Sequence, residues 1–70
     1  MNKELLKSVM ALNNDTQTTL ANEMGMPQSA ISARINGRTE FKQSEINFIR
    51  NRYCLTDEQT VLIFFEKKVS

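Results

Sequence analysis

The side chains in this chain that can do chemistry are mostly amides and hydroxyls. Gln28, Ser29, Ser32 and Asn36 crowd into "GMPQSAISARING" at 25–37, and Gln17 opens the segment before it. A glutamine amide sets a donor beside an acceptor, and a serine hydroxyl serves as either. Groups of this kind recognise a partner by paired hydrogen bonds. The sets that move protons or electron pairs are missing. The chain has no His and only one Cys, which removes the usual metal sets and most nucleophile–base pairs. Its eight carboxylates are scattered, none in an apolar stretch that would raise its pKa for acid–base work. With only Gly25 and Gly37, there is no glycine-rich phosphate loop. The reading is a binding protein rather than an enzyme, without cofactor or metal.

Seventy residues make a single domain, 1–70, near the lower limit for folding alone. Such a chain buries only about 60% of its unfolded surface, so a partner subunit is a natural source of extra stability. No apolar run approaches the roughly 20 residues that span a bilayer, and no signal peptide is visible. A lone Cys54 suits a reducing cytosol and reads as a half-buried loop thiol.

Five short helices must position those side chains. "NKELLKSVMAL" has apolar residues at 5, 6, 9, 10 and 12, with Asn2 as its N-cap. Thr16 caps "QTTLANEM", and Gly25 ends that helix where a positive φ is needed. Pro27 begins a third helix, about Gln28 to Asn36, stopped by Gly37. "KQSEINFIRNRY" places Ile46, Ile49 and Tyr53 at helical spacing, with Phe48 beside them. "TDEQTVLIFFEKK" opens with Thr56 and Gln59 in capping-box spacing and carries Lys67 and Lys68 near its end. No strand pattern and no repeat appears. The fold class is all-α.

Helices two and three are joined only by "GMP". A turn this tight, with Gly, sets two helices at about 90–120°, a helix-turn-helix. Ala21 must be small at the crossing, and Met26, Ile31 and Ile35 must fill the space beneath. "QTTLANEMGMPQSAISARIN", residues 17–36, resembles the helix-turn-helix of the phage repressor and Cro family. Gln17, Ala21, Gly25, Gln28, Ser29 and Ile31 all match that pattern, and "MGMPQSAI" is particularly similar to lambda-type repressors. Arg34 stands where the family often has an apolar residue, and Ile35 takes that role one residue later. The resemblance implies a compact five-helix lambda-repressor-like domain in the cytoplasm of a bacterial host. It implies a transcriptional regulator of a phage genetic switch, with double-stranded operator DNA as partner.

The residues agree with that expectation on their own terms. At about 100° per residue, Ile31 and Ile35 lie roughly 40° apart and define the buried side of the third helix. Ser29, Ser32, Ala33 and Asn36 fall on the outer side, and Gln28 sits at its start. A small outer face lets a backbone enter a major groove about 12 Å wide. There Gln pairs with adenine and Ser with several bases, while an Ala methyl meets thymine. Free N–H groups at the starts of the second and fourth helices bind phosphate, with Gln17 at the first of these. Arg34, Arg38 and Lys42 add positive charge to the same surface. Residues 28–53 carry five positive and two negative charges, although the whole chain is only +1.

So small a net charge predicts weak binding by one chain, which leaves two readings. A homodimer doubles the contacts on a palindromic site. Alternatively the chain is an antirepressor whose helix-turn-helix face binds a cognate repressor protein and alters its DNA binding. "VLIFF" at 61–65 spans more than one helical turn, so its five apolar side chains cannot all face one core. Either Leu62 with Phe65 or Val61 with Phe64 closes the domain, and Val61, Ile63 and Phe64 are expected at a protein interface. A symmetric dimer through this helix would set two third helices about one DNA turn, roughly 34–36 Å, apart.

Overall fold

A computed structural model describes residues 1–65 and is helical throughout: α1 (Lys3–Leu12), α2 (Gln17–Met24), α3 (Gln28–Ile35), α4 (Gln43–Arg52) and α5 (Asp57–Thr60), followed by one π-helical turn (Val61–Phe65). There is no strand among the described residues. Lys67 and Lys68, expected near the end of the last helix, lie outside them.

No α-helix among the described residues reaches the roughly 12–15 residues at which an isolated helix becomes marginal in water. Caps and burial must therefore hold them. Asn2 Oδ1 accepts from Leu5 N–H at 3.1 Å, and Thr16 Oγ1 from Thr19 N–H at 3.1 Å. Thr56 and Gln59 cap each other, with Gln59 N–H to Thr56 Oγ1 at 3.1 Å and Thr56 N–H to Gln59 Oε1 at 2.9 Å. Each such cap contributes about 1 kcal/mol.

Four helices end in one manner. Asn14, Gly25, Gly37 and Cys54 all take positive φ, between 53° and 81°. Beyond each, an N–H reaches back five residues to a carbonyl: Asp15 to Met10, Met26 to Ala21, Arg38 to Ala33 and Leu55 to Arg50, at 2.8–3.0 Å. This is the 6→1 bond of a Schellman ending, which satisfies carbonyls that the last turn leaves open. Gly25 and Gly37 meet the backbone demand without strain and Asn14 tolerates it, whereas Cys54 does not. Cys54 is exposed rather than half-buried, its side chain lying outside while its neighbours Tyr53 and Leu55 are buried.

One face of each of α1 to α4 feeds a single core, from Leu6 and Met10, Leu20 and Ala21, Ile31 and Ile35, and Ile49 with Tyr53 just past α4, joined by Leu55 before α5 and Ile63 after it. Leu12, although in phase with α1, is 83% exposed at its last turn. Val61–Phe65 departs from expectation. Neither Leu62 with Phe65 nor Val61 with Phe64 closes the domain. The inward residue is Ile63, fully buried, with Phe64 half-buried beside it. Phe64 meets Phe41 edge to face, centroids 5.5 Å apart, and Ile63 C=O accepts from Asn2 N–H at 2.7 Å. Val61, Leu62 and Phe65 are left at the surface. The π turn, with more than 3.6 residues per revolution, turns Ile63 fully inward with Phe64 packed at the core edge, and leaves Val61, Leu62 and Phe65 outside.

A charged cluster fastens the α1–α2 turn to the end of α4. Arg52 forks onto Asp15 through Nε at 2.7 Å and Nη2 at 3.0 Å, Tyr53 Oη donates to Asp15 Oδ2 at 2.7 Å, and Arg52 Nη1 reaches Glu23 at 3.2 Å. The Arg52 hydrogen bond, reinforced by Tyr53, holds the Asp15 carboxyl below its usual range against the opposing effect of burial. Burial and the Asp15 charge push the Tyr53 phenol up.

Candidate nucleic-acid interface

The Gly25–Met26–Pro27 connection sets α3 directly against α2, with Leu20 and Ala21 buried on one side and Ile31 and Ile35 on the other. Pro27, at φ −63° and ψ 149°, is extended and carries no capping group. The first N–H groups of α3 therefore point forward without a side chain of their own to satisfy them. Gln28 and Ser29 stand exposed at that end. A helix start with open donors and a positive dipole end favours an anionic partner.

The outer face of α3 is shallow. Ser32 and Ala33 are half-buried and Asn36 is exposed, its Nδ2 donating to Ser32 Oγ at 3.3 Å. The chain folds back over the end of α3, where Arg38 N–H and Thr39 N–H both donate to Ala33 C=O at 2.9 and 3.3 Å. That return shades Ala33 and narrows the face on which it was expected to stand free. Gln17 is half-buried at the first position of α2.

Arg34 requires a correction. It was expected to lend charge to this surface, but its Nε donates to Glu45 Oε1 at 2.9 Å and its Nη1 to Ala30 C=O at 3.2 Å. Both side chains of the pair are largely shielded. Burial raises the Glu45 pKa, yet the Lys42 N–H bond and Arg34 outweigh it and hold the carboxyl below its usual range. Sequence reasoning misses Glu45, because Lys42 stands three residues before it in place of the Ser or Thr that marks a capping box.

The remaining basic residues of 28–53 divide the same way. Arg52 is held by Asp15 and Glu23, and Arg50 pairs with Asp57 across the surface. Arg38 and Lys42 are exposed and have no ion-pair partner among the described residues. Both lie on the segment linking α3 to α4. The face thus combines Gln28 and Ser29 at an open helix start, a shallow ridge of small residues, and two cations at its far end.

At the last turn, Ile63 is also a correction. It belongs to the core and is no interface residue of the folded chain, and Phe64 is only partly available. Val61 remains exposed, joined by Leu62 and Phe65. No group of three or more His, Cys, Asp or Glu that could hold a metal occurs among the described residues, and no helix among them is long and apolar enough to cross a membrane. Comparison with known protein families, curated proteins and solved structures returns no significant match for this chain.

Proposed function

We propose that the chain is a helix-turn-helix regulator of the phage repressor and Cro type, with α2 and α3 as the motif and α3 as the element that enters the DNA major groove. The observation that carries this reading is the open start of α3. Gln28 and Ser29 stand exposed there beside uncapped N–H groups, followed by side chains small enough for close approach. In this reading Gln28 takes a bidentate hydrogen bond to a base, Ser29 a second base or a phosphate, and Arg38 and Lys42 flanking phosphates. Gln17 N–H, at the start of α2, faces the backbone of the same duplex. Val61, Leu62 and Phe65 form the dimer contact in place of Ile63.

The test is selection from a random-sequence 30-bp duplex pool, followed by anisotropy titration of the enriched duplex. Gln28→Ala should weaken discrimination at one base pair by about 1–3 kcal/mol. Its effect on unfolding should stay within about 0.5 kcal/mol, since the residue is exposed. No enrichment over the starting pool refutes the reading.

One observation favours the antirepressor reading instead. Internal pairing reduces the cations around α3 to Arg38 and Lys42, while Val61, Leu62 and Phe65 stay exposed. A surface poor in free charge and rich in apolar groups suits a protein partner. Under that reading no duplex is enriched, and a cognate repressor forms a complex that persists at moderate salt.

A further inference from the structure

We infer that the Arg34–Glu45 pair is a latch that sets the roll of α3 about its own axis, with Arg34 a positioning residue for the face carrying Gln28 and Ser29. The inference rests on the DNA-binding reading for its purpose but on contacts within the chain for its mechanism.

The helix needs such a device. α3 has eight residues and no side-chain cap. Its fully buried side chains are Ile31 and Ile35, one turn apart on nearly the same line along the helix. A single line of contact fixes the position of a short cylinder but resists rotation poorly. Arg34 leaves the helix roughly 60° from Ile31 and roughly 100° from Ile35, on the flank toward α4. Its Nε–Glu45 bond at 2.9 Å is thus an anchor off that line, and Nη1 to Ala30 C=O at 3.2 Å holds the guanidinium along the helix.

Glu45 is itself fixed. The same Oε1 accepts Lys42 N–H at 2.8 Å, so it cannot swing away without opening the first turn of α4. One carboxylate oxygen therefore joins α3, the start of α4 and the end of the segment bearing Arg38 and Lys42. The far side of that segment is tied by Arg38 N–H to Ala33 C=O. Rotation of α3 by a few tens of degrees would move Gln28 by ångströms across the groove, enough to exchange one base edge for another. Non-specific phosphate contacts would tolerate the same rotation.

The experiment compares wild type with Arg34→Met, which keeps the apolar stem, and Arg34→Lys, which keeps the charge. Residual dipolar couplings of 15N-labelled protein report the orientation of α3 relative to α1 and α4. Anisotropy gives the ratio of affinities for the selected duplex and a scrambled one. In Arg34→Met, the α3 couplings should depart from the wild-type orientation and the ratio should fall at least tenfold, with scrambled-duplex affinity within twofold of wild type. Arg34→Lys should recover most of the ratio. A merely structural role lowers both affinities together through the unfolded fraction. Should Arg34→Met not fold, Glu45→Gln, which retains an acceptor for Lys42 N–H, is read in the same two ways. Unchanged α3 couplings overturn the latch, as does an unchanged ratio. A wild type without any preferred duplex removes the DNA reading, and the couplings alone then decide the latch.

Discussion

The salt dependence of duplex binding tests how many cations this surface really offers. Residues 28–53 contain five: Arg34, Arg38, Lys42, Arg50 and Arg52. Arg34 and Arg52 are held in shielded pairs with Glu45 and Asp15. Arg50 pairs at the surface with Asp57, about 12 Å along α4 from Lys42 at a rise of 1.5 Å per residue. Two cations therefore remain beside α3. Each phosphate neutralised on B-DNA contributes about −0.9 to the slope of log affinity against log salt. The expected slope is about −1.8 per bound chain, against about −4.5 if all five engaged. Between 50 and 200 mM salt the first predicts a loss of roughly 12-fold per chain and the second roughly 500-fold. Anisotropy with the selected duplex measures the slope, and sedimentation gives the number of chains bound. Arg38→Ala should flatten the slope by about 0.9, and Arg52→Ala should leave the slope unchanged in the fraction that folds. A slope steeper than about −4 per chain would refute the assignment of Arg34, Arg50 and Arg52 to internal partners.

Three further predictions concern the fold. Ile63→Ala, at a fully buried position, should destabilise by about 2–5 kcal/mol in chemical denaturation, whereas Phe65→Ser should change self-association in light scattering more than stability. Cys54→Gly, at φ 53°, should raise unfolding free energy by about 0.5–1 kcal/mol, seen as a higher denaturation midpoint with unchanged m-value; a lower midpoint would contradict the strain ascribed to that turn. Asp15 and Glu45 both have carboxyls held below their ordinary range, so their contribution is complete above about pH 5, falls below pH 4 as they protonate, and is gone below their folded values. Urea melts of wild type and Asp15→Asn should therefore differ at pH 7 and converge toward pH 2.

What could be read in the chain was local. Asn2, Thr16, Gly25, Gly37 and the Thr56–Gln59 pair mark helix ends by short-range chemistry, and the structure places ends at each of them. Ile31 and Ile35 identify the buried side of α3 because four residues make about one turn. The misses have physical causes. "VLIFF" has no polar residue to break its symmetry, so periodicity cannot choose an inward side chain, and the choice of Ile63 follows from the π turn and its packing. Cys54 occupies a backbone conformation that its residue type does not advertise. The ion pairs join positions far apart in sequence, 11 residues for Arg34 with Glu45 and 37 for Arg52 with Asp15, so no local pattern reveals them.

These long-range ion pairs bear most on what α3 can offer a ligand. Counted along the sequence, the segment around α3 is basic enough to suggest attraction to phosphate. Counted after folding, most of that charge faces partners inside the same chain. An arginine locked to a carboxylate contributes geometry, because moving it would strand a shielded carboxylate. Arg34 and Arg52 are therefore part of the frame that aims α3 and anchors α2, rather than part of the surface a ligand meets. Under the proposed DNA-binding reading, recognition is then left to hydrogen-bonding groups and shape at the start of α3. Such a face discriminates well only if it is held still. A thin core of ten side chains, caps at most helix starts and two shielded ionic ties are what hold it.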